Sequence, residues 1–188
     1  MTAHDLLDTR TKHRFTAEEF LLLDDAGAFG DRRTELLDGD VYYMSPKHRP
    51  HARMMGEMYY VLRQAIDAGD LGLSILTDIS VRLSDHNVPE PDLVVTDAAE
   101  GDGILPLAAA RLVIEIADST LATDLGRKAE LYAEAGVAEY WVVDLGGERL
   151  HQLWSPAEGG YAERREVALG ERVEAVTVAG LAVTVPNQ

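Results

Sequence analysis

The sequence contains no cysteine in its 188 residues. This absence excludes a disulfide scaffold and a thiolate metal site, and it fits a reducing cytoplasm. The chain also lacks an apolar stretch of membrane-spanning length, and its polar N-terminus lacks the apolar core of a signal peptide. We therefore expect a soluble, cytoplasmic protein without a membrane partner. A single domain over residues 1–188 is expected, with residues 1–14 as a flexible N-terminal arm.

Basic residues are scarce, because 17 Lys and Arg stand against 33 Asp and Glu, for a formal net charge of −16. Proteins that bind nucleic acids usually present a basic face, since Lys and Arg contact phosphates and release counterions. The acidity therefore argues against tight, nonspecific binding to a nucleic acid. A local basic patch or bound divalent cations would still allow such binding. Hydrophobic residues make up 46% of the chain, which excludes disorder over its whole length.

Periodicity and turn residues predict a mixed order of helices and strands. Thr16 and Glu19 have the spacing of a capping box, which predicts a short helix to about Asp24. Further helices are predicted over 48–68, with Gly69 as the C-terminal cap, and from 123 or 124 to 135, with Gly136 at the end. The predicted strands are 34–37 and 41–44 around Asp38-Gly39, then 73–76, 79–83, 92–96, 111–117, 139–143, 149–154, 161–167, 172–176 and 181–185. This order predicts an α/β (α+β) fold with a mixed central β-sheet flanked by helices and extra antiparallel strands at the C-terminus.

Two carboxylates stand in or beside predicted apolar strands. Glu115 lies among Val113, Ile114 and Ile116, and Asp92 opens the run 93–95. A carboxylate in such a place is costly unless it is paired or bound to a metal. If the two strands are neighbours, the two acids converge, and a divalent cation relieves their repulsion. Oxygen ligands favour Mg²⁺ or Mn²⁺. Pairing with an arginine explains Glu115 alone equally well, and a turn role is the commoner one for an Asp after Pro.

Lys128 is the third candidate residue. On a helix that begins near Asp124, the positions Asp124, Lys128 and Tyr132 share one face. Lys128 can then lean toward the sheet, where a lysine beside a metal holds the attacking water or stabilises charge on a phosphorane. Taken alone, Lys128 is more often a solvated residue or a partner of Asp124.

An ordered set of residues carries a resemblance over nearly the whole chain. Its members are residues 15–20, 35–39 and 44–46, His51, residues 90–95 and 113–116, Ser119, Thr120, Asp124, Lys128, Tyr132, Gly136, Val137 and residues 139–144. This set resembles the PD-(D/E)XK nuclease superfamily and, more closely, its Uma-type family of restriction endonucleases. The resemblance implies a restriction-endonuclease-like fold, with a mixed central sheet and helices on both sides.

The resemblance also implies roles for individual residues. It makes Asp92 and Glu115 ligands of Mg²⁺ (or Mn²⁺), with help from the main-chain carbonyl of Ile116. Glu35 resembles a further acidic position that completes such a metal site. The catalytic set implied is therefore Asp92, Glu115, Lys128 and Glu35.

The chain departs from the family pattern at two positions, and the resemblance adds two accessory positions. The superfamily places a lysine two residues after the glutamate, where this chain has Ala117; Uma-type proteins carry it on the following helix, which matches Lys128. Asp118 stands where members commonly have serine or proline, as a further ligand or as a charge that opposes phosphate. His51 matches a family histidine, or it is a helix-start residue that bonds to the core. Asp124 either orients Lys128 or caps the helix.

These observations lead to three hypotheses about function. The first is an endonuclease that hydrolyses phosphodiester bonds in DNA with Mg²⁺ or Mn²⁺. The second is a noncatalytic interaction protein with the same fold, which the charge of −16 and the broken lysine motif favour. The third is the same site acting on RNA or a nucleotide-like molecule. A homodimer is expected because soluble chains of this size often form two-fold pairs, with the edges of the C-terminal strands as one candidate surface.

Overall fold

The computed structural model describes residues 11–187, so residues 1–10 of the predicted arm lie outside it. The helices are α1 (Ala17–Asp25), α2 (Arg49–Gly69), α3 (Leu121–Thr123) and α4 (Ala129–Ala135), with a π-helical stretch at Asp124–Lys128 and a 3₁₀ turn at Leu107–Ala109. The strands are β1 (Thr34–Leu37), β2 (Asp40–Tyr43), β3 (Ser74–Thr77), β4 (Val81–Arg82), β5 (Leu93–Thr96), β6 (Leu105–Pro106), β7 (Ala110–Ala117), β8 (Glu139–Asp144), β9 (Arg149–Ala157), β10 (Gly160–Ala168), β11 (Arg172–Glu174) and β12 (Ala182–Thr184).

Local signals near the N-terminus produce the elements that they predict. The Thr16 hydroxyl accepts a hydrogen bond from the Glu19 backbone N–H at 3.2 Å, and the Glu19 carboxylate accepts one from the Thr16 N–H at 2.9 Å. This reciprocal pair satisfies two free donors at the start of α1. Asp38 and Gly39 both have positive φ, 53° and 76°, which is the backbone of a tight hairpin turn. The turn pairs β1 with β2 and so fixes the position of Glu35.

The central sheet has six strands in the order β10-β9-β8-β7-β5-β3. The pair β7–β8 is parallel and the other neighbours are antiparallel, so the sheet is mixed as predicted. The strands β9 and β10 extend this sheet, whereas β11 and β12 form a separate hairpin. The predicted strand 161–167, which corresponds to β10, is therefore part of the central sheet.

Helices cover both faces of the sheet. On one face of the sheet lies the apolar side of α2, which contributes Met54, Met58, Leu62 and Ile66. Residues of β11 and β12 pack on the same face. On the opposite face of the sheet, Tyr132 of α4 packs against residues of β5 and β7 whose side chains point away from α2. Each large side chain buried in these layers contributes about 1.5–3 kcal/mol. The predicted arrangement of a mixed sheet between helices is confirmed.

Helix boundaries differ from the predictions at two places. The predicted cap Gly69 is the last residue of α2, and Asp70, with φ 48°, takes the left-handed position after it. The predicted helix start at 123 or 124 is also wrong, because the helical stretch begins at Leu121 and kinks at Gly126. Gly136, with φ 85°, ends α4 as predicted. Within residues 11–187 we find no helix that is both long and apolar enough to span a membrane.

Candidate active site

Asp92 and Glu115 face each other across two neighbouring strands of the central sheet. The antiparallel register pairs Leu93 with Ile114, and one step further along it places Asp92 opposite Glu115. Residues that are directly opposed in an antiparallel pair point to the same face of the sheet. Both carboxylates are buried, with 4% of each residue exposed. The sequence therefore brings two acids together at a place where water does not screen their repulsion.

Each oxygen of Asp92 has a donor. Oδ1 lies 2.7 Å from Lys47 Nζ, and Oδ2 accepts a hydrogen bond from the Ile116 backbone N–H at 2.7 Å. His51 Nε2 also lies within hydrogen-bond distance of Oδ2, at 3.1 Å, and donates to it because a carboxylate only accepts. Burial by itself raises the pKa of Asp92, but the hydrogen bonds and charges of His51 and Lys47 lower it to about 2. Asp92 is therefore ionised at neutral pH.

Glu115 has a different environment on the same face. Its Oε1 accepts hydrogen bonds from Lys128 Nζ at 3.0 Å and from the Tyr132 hydroxyl at 3.1 Å. Complete burial raises the pKa of Glu115 to about 8, and the charge of Lys128 opposes the increase. The neighbouring carboxylates, Asp92 among them, add to the increase. The two opposed acids therefore differ widely in proton affinity.

Lys128 lies between Glu115 and Glu35. Its Nζ is 3.2 Å from Glu35 Oε2, which is buried and makes no hydrogen bond to any of residues 11–187. Burial lowers the pKa of Lys128, but the charges of Glu115 and Glu35 outweigh burial and raise it above the usual value. Lys128 is therefore a buried cation between two carboxylates. The Glu35 oxygen has room for a further partner, because an ion pair alone leaves its acceptor capacity unfilled.

Lys47 is a member of the site that the sequence did not identify. It follows Pro46 in the loop before α2, and its Nζ contacts both Asp92 and Asp78. Asp78 also pairs with Arg33. The sequence offers little sign of this role. Lys47 stands four residues before His51, but it lies in a loop, where helical spacing does not place two side chains on one face. Tyr132, on the predicted helix face of Lys128, is buried, and its hydroxyl donates to Glu115.

The remaining predicted positions lie around the same cleft. Asp124 is buried, and its carboxylate accepts a hydrogen bond from the Thr120 hydroxyl and does not cap a helix. Burial raises the pKa of Asp124 above its usual value, and the charge of Lys128 offsets only part of this increase. The Asp118 carboxylate lies 3.8 Å from His48 Nδ1. Ile116 contributes the backbone N–H to Asp92 and lines the cleft.

These side chains surround one cleft of about 480 Å³. Its walls come from β2, the loop before α2, the end of β7 and the helical stretch after it. The residues that line it are Glu35, Tyr42, Tyr43, Met44, Ser45, Pro46, Lys47, His48, His51, Asp92, Glu115, Ile116, Asp118, Ser119, Thr120, Thr123, Asp124 and Lys128. All eight residues predicted for the site thus line a single cleft.

The carboxylates of this cleft are donors of the chemical type that a hard divalent cation takes. Asp92, Glu115 and Glu35 offer only oxygen atoms, which suit Mg²⁺ or Mn²⁺, and one Glu35 oxygen has no hydrogen-bond partner in the described chain. Across residues 11–187, no three acidic or histidine side chains are already clustered as metal ligands. Lys47 and Lys128 hold the carboxylates in their place. A cation would therefore share these carboxylates with the two lysines.

Comparisons with known proteins agree with this fold. The model of the Uma2 family, described as "putative restriction endonuclease", matches residues 17–186. A crystal structure described as a "putative nuclease" from Anabaena variabilis superposes with a TM-score of 0.67 at 18% identity, over 91% of this chain and 95% of that one. At this identity the second comparison shows a similar fold. Functionally curated proteins gave no match.

Proposed function

The chain belongs to the Uma2 family, and we propose that it is an endonuclease that hydrolyses phosphodiester bonds in DNA with Mg²⁺ or Mn²⁺. The observation that carries the proposal is the pair of buried carboxylates, Asp92 and Glu115, opposed on adjacent strands at the floor of a cleft. Burial of two acids side by side is unfavourable, and a fold retains it where the acids have a ligand to hold.

The proposed ligands are the carboxylates of Asp92, Glu115 and Glu35 and the main-chain carbonyl of Ile116. A bound divalent cation polarises the scissile phosphate and lowers the pKa of a water molecule. Asp92 is suited to this role because its low pKa keeps it ionised. Glu115 has to lose its proton first, since its pKa is raised to about 8.

The cations of the cleft have complementary tasks in this proposal. Lys128 stays charged, and its Nζ beside Glu115 can stabilise the negative charge that grows on the phosphate or hold the attacking water. Lys47 places a second positive charge at the other carboxylate. Tyr132 and His51 are positioning residues, since each donates a hydrogen bond to one of the two acids. Two buried or half-buried lysines also offset the acidity of the chain where a phosphate would approach.

Cleavage of DNA tests this proposal. Plasmid and single-stranded DNA are incubated with Mg²⁺, Mn²⁺ or EDTA and the wild type, Asp92→Ala, Lys128→Ala or Asp97→Ala. Asp97 is a matched control, because it is an exposed acid at the far end of β5, paired with Arg111. We expect metal-dependent cleavage by the wild type and the control, and a loss of about 100-fold or more in the other two variants. Equal activity in all four proteins contradicts the proposal. An RNA of the same sequence, cleaved faster than the DNA, contradicts its choice of substrate.

A noncatalytic interaction protein is the second candidate. The observation that favours it is the state of the carboxylates, which Lys47 and Lys128 already neutralise. This candidate predicts no effect of Mn²⁺ on the melting temperature. The nuclease proposal predicts stabilisation by about 2.7 kcal/mol at a Mn²⁺ concentration of 100 times Kd, because a ligand that binds only the folded state stabilises it. A thermal melt with and without Mn²⁺ separates the two.

We also propose a homodimer, for which the edge strand β10 is a candidate surface. β10 ends the central sheet, and an edge strand offers unpaired backbone groups to a second copy. Light scattering over a range of concentrations tests it. A monomer mass throughout contradicts it.

A further inference from the structure

Lys47 lies at the one oxygen of Asp92 that has capacity for another ligand. Oδ2 accepts hydrogen bonds from the Ile116 backbone N–H and from His51, which fill the two lone pairs of that oxygen. Oδ1 has one polar partner among residues 11–187, the Lys47 Nζ at 2.7 Å. Any further ligand of Asp92 is therefore bound through Oδ1, beside the ammonium group of Lys47.

Two cations at one buried oxygen compete with each other. Asp92 is 4% exposed, so little water screens the charges around it, and like charges at short range repel strongly. A divalent cation at Oδ1 is therefore disfavoured as long as Lys47 stays there. Linkage makes the effect reciprocal: the factor by which Lys47 weakens the binding of the cation equals the factor by which the cation weakens the pair of Lys47 and Asp92.

Lys47 has a second carboxylate partner. Its Nζ donates hydrogen bonds to Asp78 and, at 3.6 Å, to the sulfur of Met55. Asp78 directly follows β3, and it is not among the residues that line the cleft. Lys47 itself lies in the loop between β2 and α2, and its side chain is a flexible four-carbon stem. It can therefore leave Asp92 and still keep a carboxylate beside its charge.

Lys128 differs from Lys47 in this respect. Its Nζ lies between Glu115 and Glu35, and both of these acids line the cleft. Lys128 is also 6% exposed and belongs to the helical stretch after β7. Of the two lysines of the cleft, Lys47 is therefore the one with a partner to which it can move. Lys128 belongs to the set of residues that carries the family resemblance, whereas Lys47 does not.

We propose that Lys47 is an internal competitor of the divalent cation: its ammonium group neutralises Asp92 in the metal-free protein and moves to Asp78 when the cation binds. Lys47 therefore sets the affinity of the site for the cation, and Asp78 is a positioning residue that receives Lys47. This inference rests on the proposed function, because it takes Asp92 as a ligand of the cation. A purely structural ion pair predicts the opposite, since loss of Lys47 would then disorder Asp92 and weaken the binding of the cation.

Calorimetric titration with Mn²⁺ tests the inference without any measurement of activity. The variants are Lys47→Met, Asp78→Asn and the protein that carries both changes. Lys12→Met and Asp97→Asn are matched controls, because they remove the same charges from exposed ion pairs elsewhere in the chain. Thermal melts in EDTA, followed by circular dichroism, measure the stability of each metal-free protein and establish that it is folded.

We expect Lys47→Met to bind Mn²⁺ about 5- to 150-fold more tightly than the wild type, the usual range for coupling between two ligands. Its metal-free form should nevertheless melt at a lower temperature, because a buried carboxylate loses a partner. Asp78→Asn should weaken Mn²⁺ binding, since Lys47 then has no carboxylate to which it can move. In the double variant this second effect should be much smaller, because Asp78 acts through Lys47. The two controls should bind Mn²⁺ like the wild type.

A second measurement uses the wild-type protein and does not depend on the folding of a variant. Lys12, Lys47 and Lys128 are the only lysines in the sequence, so the NMR signals of the lysine Cε–Hε groups are few. Lys12→Met and Lys47→Arg assign these signals. Titration with Mg²⁺, which is diamagnetic, should shift the Lys47 signal and leave the Lys12 signal in place.

Equal or weaker Mn²⁺ binding by a folded Lys47→Met protein would overturn the inference, as would a Lys47 signal that does not move at saturating Mg²⁺. The outcome is separate from that of the proposed function. If Lys47→Met binds Mn²⁺ more tightly and the wild type never cleaves DNA, this inference stands and the hydrolysis is lost. If the wild type cleaves DNA and Lys47→Met binds Mn²⁺ no more tightly, the hydrolysis stands and this inference is lost. No Mn²⁺ binding by either protein overturns both.

Discussion

Replacement of Lys128 by methionine should destabilise the protein strongly and make it dependent on a divalent cation. The Lys128 Nζ lies 3.0 Å from Glu115 and 3.2 Å from Glu35, and all three side chains are at most 12% exposed. At an effective dielectric constant of about 20, the pair with Glu35 is worth about 5 kcal/mol before the cost of desolvation. Glu115, with its pKa raised to about 8, also accepts a hydrogen bond from Lys128. Loss of one partner of a buried pair costs about 3–5 kcal/mol, because the remaining charge is left buried without compensation.

Thermal melts followed by circular dichroism measure this effect. A loss of about 3–5 kcal/mol lowers Tm by about 6–20 °C in a chain of this size. Mn²⁺ should restore more stability to Lys128→Met than to the wild type, since a cation between the carboxylates replaces the lost charge. The matched control is Lys12→Met, because Lys12 pairs with Asp40 while 71% exposed, and such pairs contribute at most about 1 kcal/mol. A Lys128→Met protein that melts like the control, with or without Mn²⁺, refutes the reasoning.

Three further predictions concern the affinity for Mn²⁺ at different pH values, the hydrogen bond from Tyr132 to Glu115, and the buried carboxylate of Glu139. Mn²⁺ should bind up to about tenfold more weakly for each unit that the pH falls from 8 to 6, because Glu115, with its pKa raised to about 8, must release a proton; calorimetry that gives one Kd at both pH values contradicts this. Tyr132→Phe should lose about 1–2 kcal/mol of stability, since its hydroxyl no longer donates to Glu115, and an unchanged urea midpoint speaks against that bond. Glu139→Ala should cost about 3 kcal/mol or more in urea without altering Mn²⁺ binding, because its buried carboxylate accepts from Trp141, Gln152 and Thr177; weaker Mn²⁺ binding there contradicts a purely structural role.

The sequence is most informative where the chemistry of a residue conflicts with its surroundings. Asp92 and Glu115 were recognisable because an acid beside an apolar strand needs a partner, and the structure places the two strands side by side. Short-range signals were equally reliable, as in the capping box at Thr16 and the turn at Asp38-Gly39. Both kinds of signal depend on interactions within a few residues or on a large energetic penalty.

The other features of the site depend on tertiary contacts that no local pattern encodes. Lys47 lies in a loop, where periodicity says nothing about the direction of a side chain, and it meets Asp92 only because α2 begins at that edge of the sheet. Asp124 lies before the kink at Gly126, and its carboxylate accepts a hydrogen bond from Thr120, four residues earlier, which no pattern in the sequence predicted. Regular spacing holds only beyond the kink, where Lys128 and Tyr132, four residues apart, both reach Glu115.

A crystal structure of the protein soaked in Mn²⁺ is the most direct test of the central claim. Anomalous scattering identifies the cation independently of any assumption about its ligands. We predict one peak between the carboxylates of Asp92 and Glu115, within reach of Glu35, with Lys128 still beside the site. No peak there, with Lys47 and Lys128 still paired to the two acids at a saturating Mn²⁺ concentration, would contradict the claim that this cleft is a metal-dependent active site.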